Sequence, residues 1–367
     1  MNFKELLIND SMITVLNKMG VKSPTPIQSE SIPFIKNGKD VIAEAQTGTG
    51  KTLAFLLPMF DNISEKDNNI QGLIVSPTRE LAIQITEEAT KLNEGKNINI
   101  LSIYGGQDIS KQLKKLKGGV HLVIATPGRL LDHLNKGTVN LSKLKTLVID
   151  EADQMLFMGF RNEIEAIMKE TPKKHQTLCF SATMDSKVKK LAYRYMTDPV
   201  VVSIKKEQVT LENIKQEVVE TTDRWKFDSL CKTLDEDNAF MAIIFCRTKR
   251  RVDKLEEELY QKGYNCKKIH SDIPQTKRER IMKSFRNADI QYLIATDVAA
   301  RGIDVTGVTH VYNYDIPESV EGYIHRIGRT GRANEAGYTC LFIDPKNSSM
   351  LNEIEKTIDY KIPKRVL

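Results

Sequence analysis

The stretch Lys143 to Phe160, KLKTLVIDEADQMLFMGF, joins a short apolar run to a cluster of acids. The run Leu147 to Ile149 has the length and the branched composition of a strand that is buried on both faces. Asp150, Glu151 and Asp153 follow it at once. Because carboxylates in such a cluster are poor components of a core, we expect this strand to deliver ligands to a cleft.

Similar apolar runs recur along the chain, with segments of helical periodicity between them. They include DVIAEA, GLIVSP, HLVIATP and TLCFSAT before residue 204, and EVVETT, AIIFC, YLIATD and YTCLFID after it. This alternation predicts parallel sheets with helices on both faces and binding loops at the carboxyl ends of the strands. The polar stretch SIKKEQVTLENIKQ separates the two series, so we expect α/β domains over residues 1–205 and 213–367 and a linker over 206–212.

Length and composition agree with two ordinary domains. The chain has 367 residues, 40% of them hydrophobic, without a run long enough for a membrane span and without a secretory signal at its start. We therefore expect a cytoplasmic protein. A formal charge of +6 permits a polyanionic partner without requiring one. The five cysteines form no CxxC pair, which favours buried reduced thiols: Cys179, Cys231, Cys246, Cys266 and Cys340.

The segment AQTGTGKT, residues 45–52, follows one strand pattern and opens a helical one. It matches the phosphate-loop signature, with Ala45 where a glycine is usual. Backbone N–H groups would face phosphate oxygens, Lys51 would add a charge and Thr52 a hydroxyl for Mg²⁺. The loop residues assigned to the nucleotide are Gln46, Thr47, Gly48, Thr49, Gly50, Lys51 and Thr52. An ordinary glycine-rich turn is the alternative, and the loop alone does not separate a helicase from a GTPase or a small-molecule kinase.

The phosphate loop suggests a ligand for Asp150 and Glu151, namely a nucleotide bound with Mg²⁺. In a phosphate-loop fold, an aspartate at the end of a second strand holds the Mg²⁺ that bridges the phosphates, which suits Asp150. Glu151 can then orient or deprotonate the attacking water. A solvated helix N-terminus, where acids are favoured, is the alternative, but it explains only one of the three acids.

Residues 150–153 spell D-E-A-D, and together with the phosphate loop they resemble the DEAD-box family of RNA helicases, as a minimal core of bacterial type. Further motifs of that family follow in order: PTPIQ at 24–28, PTRELA at 77–82, GG at 105–106, TPGR at 126–129, SAT at 181–183, IIFCRT at 243–248, Gln275 with Arg278, ATDVAARGID at 295–304 and YIHRIGRTGR at 323–332. The resemblance covers essentially the whole chain. It implies two tandem RecA-like doubly wound parallel-sheet domains with a nucleotide and RNA cleft between them.

The resemblance also implies ATP as the nucleotide, with Mg²⁺. Gln28 would read the adenine edge, Phe3 would stack on the ring and Asp304 would meet the ribose hydroxyls. Arg329 and Arg332 would act as arginine fingers, which with Lys51 and Glu151 completes the catalytic set. Two alternatives stay open, because Gln28 could merely cap its helix and Phe3 could pack on its own domain.

RNA contacts are implied at positions where small residues admit backbone N–H groups or arginines supply charge, so we expect recognition to be largely independent of sequence. They are Pro77, Thr78, Arg79, Gly105, Gly106, Thr126, Gly128, Arg129, Arg247, Thr248, Gln275, Arg278 and Thr296. The residues implied in interdomain coupling are Asp153, Ser181, Thr183, His325 and Arg326. Thr248, Gln275 and Gly106 could instead only shape turns, and His325 could be a satisfied structural histidine. The lysine-rich stretch 111–117 is read as a solvated helix face.

The function that the resemblance implies is that of an ATP-dependent RNA helicase and RNA-stimulated ATPase. ATP and RNA would close the two domains, a duplex would separate locally, and hydrolysis would reset the enzyme. We expect a monomer that acts on single strands and short duplexes of RNA, away from membranes, with protein or ribonucleoprotein partners to target it. An ATP-gated RNA clamp and a DNA translocase built on the same pair of domains are the alternatives.

Overall fold

The computed structural model describes residues 2–46, 48–94, 96–106, 109–204, 213–300, 305, 307–331 and 336–367. The chain divides into two compact units, Met1–Lys206 and Glu207–Leu367, here called the N-terminal unit and the C-terminal unit. The linker predicted over 206–212 lies outside the described residues.

The N-terminal unit is built on one parallel sheet of seven strands. The strands are β1 Val41–Glu44, β2 Gly72–Val75, β3 Ile100–Ile103, β4 Leu122–Ala125, β5 Thr146–Ile149, β6 Gln176–Ser181 and β7 Val200–Ser203. Their order across the sheet is β3-β4-β2-β5-β6-β1-β7. The register places Val75 opposite Ile149 and Ile149 opposite Cys179, so the loops after β2, β5 and β6 leave the sheet side by side.

Helices cover both faces of this sheet, because alternate residues of each buried strand point to opposite sides. The helices are α1 Asp10–Lys18, α2 Pro26–Lys36, α3 Lys51–Asn62, α4 Arg79–Leu92, α5 Ile109–Lys117, α6 Pro127–Asn135, α7 Ala152–Phe157, α8 Arg161–Lys169 and α9 Ser186–Tyr195. The first four helices share a core with Ile74 and Val148, while α6 to α9 share the opposite core with Leu73 and Leu147.

The C-terminal unit repeats this plan with a parallel sheet of six strands. The strands are β8 Ile214–Glu220, β9 Ala242–Phe245, β10 Cys266–Ile269, β11 Tyr292–Ala295, β12 His310–Asn313 and β13 Gly337–Ile343. Their order is β10-β11-β9-β12-β13-β8. The helices are α10 Lys226–Asp237, α11 Lys249–Gln261, α12 Gln275–Arg286, α13 Asp297–Ala300, α14 Val320–Ile327 and α15 Ser348–Ile358.

Both faces of this six-stranded sheet are buried. Helices α10 and α11 share a core with Ile244 and Ile294, whereas α12 and α13 pack with Ile243 and Leu293 on the other face. Helices α14 and α15 form a further core with β8 and β13. The expected fold class, two tandem α/β domains with parallel sheets, is therefore confirmed.

The end of the chain lies along β8, the outermost strand of the second sheet. Val218 N–H donates to Pro363 O over 2.9 Å, and Arg365 N–H donates to Val218 O over 2.9 Å. The Arg365 guanidinium lies 2.7 Å from Asp237 Oδ1 and 2.7 Å from Glu236 Oε2. This segment therefore covers the free edge of the sheet at Val218.

The composition led to expectations about the cysteines and about membrane spans. All five cysteines are buried and free of disulfides, as predicted. Among the described residues, every helix is too short or too polar to cross a bilayer.

Candidate nucleotide and RNA sites

The phosphate loop ends where helix α3 begins, at Lys51. Gly48 has φ +85° and Gly50 has φ +89°, a left-handed backbone that glycine adopts without strain. Lys51 is only 6% exposed, and its buried Nζ has no hydrogen-bond partner among the described residues. A buried ammonium at a helix N-terminus is a position prepared for an anion. Thr52 follows it as the second residue of the helix.

Asp150 and Glu151 directly follow β5, which lies two strands from β1 in the sheet. Asp150 is 3% exposed, and burial raises the pKa of its carboxyl to about 7, against the opposing charge of Lys51. Glu151 N–H donates to Asp150 Oδ1 over 3.0 Å, and Glu151 itself has φ +51°. A left-handed glutamate at a strand end is a strained conformation of the kind that collects at functional sites.

These groups fit a magnesium nucleotide. Desolvation outweighs the attraction of Lys51 at Asp150, and the Lys51 ammonium has no hydrogen-bond partner among the described residues, so a cation bound to phosphate would stabilise both charges. Among the described residues, no group of three or more His, Cys, Asp or Glu side chains could hold a metal ion by itself. Mg²⁺ is commonly held by one or two carboxylates together with substrate phosphates and water.

The last acid of the cluster binds the segment after β6. Asp153 Oδ2 accepts from Thr183 N–H over 3.2 Å and from Thr183 Oγ1–H over 3.1 Å. Asp153 N–H donates to Ser181 Oγ over 3.3 Å, and Ser181 Oγ–H donates to Thr183 O over 2.7 Å. Three of the predicted coupling residues are therefore joined within one unit.

Gln28 connects the start of α2 to the phosphate loop. Its Oε1 accepts from Thr25 N–H over 3.0 Å, and its Nε2 donates to Gly50 O over 2.9 Å. The helix-capping alternative is thus observed, and the Gln28 side chain is buried; recognition of adenine by this amide stays a prediction. Phe3 is 3% exposed and belongs to the core of this unit, which matches the packing alternative. Stacking of Phe3 on adenine stays a prediction.

The RNA motifs of the N-terminal unit follow β2, β3 and β4, which are neighbours in the sheet. Thr78 caps α4, and Thr126 occupies the N-cap position of α6. A Cβ atom added to Gly105 would lie 3.0 Å from Arg79 Nη2, so this guanidinium lies against the Gly105 backbone. The nucleotide motifs follow β1, β5 and β6, the adjacent part of the same edge. The predicted residues at the RNA end are Pro77, Thr78, Arg79, Gly105, Gly106, Thr126, Gly128 and Arg129.

The C-terminal unit has the same layout, since its RNA motifs follow the neighbouring strands β9, β10 and β11. Arg247 N–H donates to Asp315 Oδ2 over 2.9 Å, and Thr248 caps α11. Gln275 and Arg278 lie in the first turn of α12, each 5% exposed. Thr296 lies directly after β11 and is 9% exposed.

Helix α14 carries His325 and Arg326, and Arg329 lies two residues beyond its end. Arg326 is 2% exposed, and its Nε and Nη2 bind the two oxygens of Asp297 over 2.6 and 2.7 Å. Its Nη1 donates to Asn313 Oδ1 over 3.1 Å and to Asp315 O over 2.6 Å. Arg329 is 6% exposed and its Nε donates to His325 O over 3.2 Å. The observed bonds of Arg326 therefore lie within the C-terminal unit, and its part in interdomain coupling stays a prediction.

Comparison with known proteins identifies the family. The model described as DEAD/DEAH box helicase matches residues 25–191, and the model described as helicase conserved C-terminal domain matches residues 225–334. Two proteins named DEAD-box ATP-dependent RNA helicase CshA are close relatives in sequence. The Bacillus cereus relative (strain ATCC 10987) is 49% identical over 98% of this chain and 69% of its own length. The Bacillus subtilis relative (strain 168) is 48% identical over 98% of this chain and 73% of its own. The chain belongs to the DEAD-box ATP-dependent RNA helicases.

Solved structures of the family resemble this helicase along its whole length. S. cerevisiae Dbp5 bound to RNA and ADP BeF3 gives a TM-score of 0.91 at 30% identity, covering 99% of this chain and 95% of that one. A shortened Mss116p bound to ssRNA and AMP-PNP gives 0.88 at 32% identity, covering 99% and 78%. The resemblance drawn from the motifs is thus confirmed, as is the enzyme class of an RNA-stimulated ATPase and helicase.

Three predicted site residues of the helicase, Thr47, Asp304 and Arg332, lie outside the described residues. The structure also shows polar residues near the site that the motif search missed. Gln112 is 2% exposed and lies between the loop after β3 and helix α6. Asp315 is 6% exposed; its backbone oxygen accepts from Arg326 and its carboxylate accepts from Arg247 N–H. In the sequence, Gln112 is marked only by its place beside Leu113 on α5. Asp315 is marked only as an acid two residues after β12.

Proposed function

We propose that the enzyme binds ATP with Mg²⁺ at the carboxyl ends of β1, β5 and β6, and RNA at the carboxyl ends of the neighbouring strands. The observation that carries the nucleotide assignment is the buried ammonium of Lys51, unpartnered among the described residues, in the same unit as the buried carboxyl of Asp150. Opposite charges held out of water without a direct hydrogen bond are costly unless a ligand completes them.

In this proposal Lys51 holds the β- and γ-phosphates, and Thr52 with Asp150 holds the metal. Bound Mg²⁺ supplies charge neutralisation of the phosphates. Glu151, fixed at the N-terminus of α7, orients the attacking water and takes its proton. Gln28 selects adenine, and the loop residues Gln46 to Gly50 offer N–H groups to the phosphates.

Hydrolysis in this proposal draws on both units. Arg329 and Arg332 of the C-terminal unit supply the positive charge that the transferring phosphoryl group needs, and Asp304 holds the ribose. The catalytic set is therefore complete only when the two units act on one nucleotide, which makes turnover depend on a conformational step. His325, Asp153 and the SAT segment would transmit that step.

RNA recognition in this proposal rests on arginines and on backbone N–H groups beside glycines, which favour phosphates over base edges. Duplexes would separate locally through the grip of both units on one strand. The buried, disulfide-free cysteines support a reducing compartment such as the cytoplasm. The monomeric state, the membrane-free setting and the targeting partners stay predictions.

The test of the nucleotide site is Glu151→Gln, which keeps size and hydrogen-bonding capacity but removes the base. We expect ATP and RNA binding within about twofold of the parent, with turnover lowered by about a factor of 100 or more. Binding is measured with a fluorescent ATP analogue and labelled RNA, and turnover by phosphate release. Turnover at the parental rate would remove Glu151 from the mechanism.

The test of the substrate class uses nucleic acids in turn. We expect single-stranded RNA to stimulate phosphate release, single-stranded DNA of the same sequence to do so far less, and a short RNA duplex to be unwound with ATP. Equal stimulation by DNA would favour the translocase alternative. Strong RNA stimulation without any unwinding of a short duplex would favour the clamp.

A further inference from the structure

Gln112 is a buried polar residue that lies between two RNA motifs. It belongs to α5, is 2% exposed, and has contacts at both ends of its amide. Nε2 donates to Tyr104 O over 3.3 Å, at the loop after β3. Oε1 lies 3.0 Å from His133 Nε2 and accepts from Arg129 Nη1 over 3.4 Å, both on α6 after β4. One side chain therefore contacts the loop of one strand and the helix that follows its neighbour.

Each of these contacts continues into a predicted RNA-binding group. Tyr104 directly precedes Gly105, whose backbone lies against the guanidinium of Arg79. Arg129 and His133 are four residues apart and so lie on one face of α6. His133 is fully buried and its Nδ1 lies 2.8 Å from Thr138 Oγ1, which fixes the imidazole from the other side.

We propose that Gln112 is a positioning residue for RNA, which sets the separation between the Gly105 backbone and the Arg129 guanidinium. Its burial keeps it from touching RNA itself, so it acts through these two groups. A planar amide offers a donor and an acceptor at a fixed distance, and two phosphate-binding groups must match the spacing of the strand they bind. This inference rests on the proposed RNA role of Gly105 and Arg129.

The first experiment compares Gln112→Met with a matched control, Gln71→Met. Gln71 is also buried, 1% exposed, and binds Ser64 and Asp67 through its amide, but it lies at the amino end of β2, away from the RNA motifs. Labelled oligouridylate is titrated in the presence of a non-hydrolysable ATP analogue and followed by anisotropy. We expect RNA affinity about fivefold lower for Gln112→Met, the effect of one lost hydrogen bond, and unchanged for Gln71→Met.

The second experiment separates positioning from a loss of stability. The effect of Gln112→Met on RNA affinity is also measured in the Arg129→Ala background, as a double-mutant cycle. If Gln112 acts through Arg129, most of this effect disappears there, whereas an independent loss of stability makes the two effects additive. We also expect Gln112→Met to lower the slope of log affinity against log salt by about 0.7, the value for one phosphate contact on a single strand. The RNA-independent ATPase rate and the KM for ATP stay at parental values.

Three results overturn the proposal: parental RNA affinity for Gln112→Met, an equal loss for Gln71→Met, or full additivity with Arg129→Ala. If Gln112→Met does not fold, Gln112→Asn is measured in its place with the same expectations, because its amide is one methylene too short to reach both partners. Failure of the proposed RNA site itself is recognised separately, since Arg129→Ala would then leave RNA affinity unchanged. Weak binding by Arg129→Ala together with parental binding by Gln112→Met overturns the positioning role alone.

Discussion

The raised pKa of Asp150 predicts how the stability of the ligand-free N-terminal unit depends on pH. Burial raises the pKa from 3.8 to about 7, so the folded unit holds this proton more tightly than the unfolded chain. Stability is therefore highest below the unfolded pKa and falls as pH rises through the window from about 4 to about 7. Between pH 5 and pH 8 the loss from this single group is about 3 kcal/mol, because about two pH units of that window, from about 5 to about 7, each cost about 1.4 kcal/mol.

The substitution that isolates this effect is Asp150→Asn, which removes the titration and keeps the shape. Urea unfolding at pH 5 and pH 8 is followed by circular dichroism for the whole chain. The fluorescence of Trp225, the single tryptophan, reports the C-terminal unit alone and is the internal control. From pH 5 to pH 8 we expect the free energy of unfolding to fall by about 3 kcal/mol more in the parent than in Asp150→Asn. Glu88, whose pKa burial also raises to about 7, titrates in both proteins, and only the part of its shift that comes from the charge of Asp150 differs between them.

Magnesium provides the complementary measurement. The gain in ATP affinity on adding Mg²⁺ requires the ionised carboxylate, whose population rises from about 9% at pH 6 to about 91% at pH 8 for a pKa of about 7. We expect that gain to be about tenfold larger at pH 8 than at pH 6 in the parent, and small at both in Asp150→Asn. The same pH dependence of stability in the two proteins would refute the burial argument. A magnesium effect that survives in the variant would refute the metal assignment.

Three further substitutions test other contacts. In Gly50→Ala the new Cβ would lie 2.5 Å from Gln28 Nε2 on a backbone with φ +89°, so we expect the KM for ATP to rise about tenfold; an unchanged KM would contradict the close fit. Thr183→Val removes one hydrogen bond to Asp153, and urea unfolding of the N-terminal unit should show a loss of about 1 kcal/mol. Arg326→Lys cannot keep the paired bonds of the guanidinium, so tryptophan fluorescence should report a C-terminal unit less stable by about 3 kcal/mol; parental stability would show that the ammonium substitutes fully.

The sequence predicted those features that local patterns determine. Alternating apolar runs indicated parallel sheets, because this signal lies within a few neighbouring residues. The motifs at strand ends are equally local, and they predict which loops bind ligands. The role of Gln112 could not be predicted in this way. Its partners are eight residues before it and 17 and 21 residues after it, so its burial depends on how β3, α5 and α6 pack. The surrounding lysines made the helix resemble a solvated face, which it is for Lys114, Lys115 and Lys117.

The same reason applies to two other positions. Asp315, between Tyr314 and Ile316, looks like a turn acid, and only the fold shows that it accepts from Arg247 N–H, 68 residues away. For Phe3 the motif position left two possibilities open, stacking on adenine and packing on its own domain, and the structure places the ring in the core. Motifs thus identify which residues lie at a site, but long-range packing decides which atoms each of them can offer.

The segment that lies along β8 has a practical consequence. An outermost strand with bare N–H and C=O groups can recruit a strand from another molecule, and here Pro363 and Arg365 occupy the two backbone groups of Val218, near the middle of β8. Cutting the chain before Ile362 would uncover the edge and leave two carboxylates, Glu236 and Asp237, without their guanidinium. Shortened versions for crystallisation or expression would then be prone to edge-to-edge aggregation, even though every residue assigned to ATP and RNA would still be present.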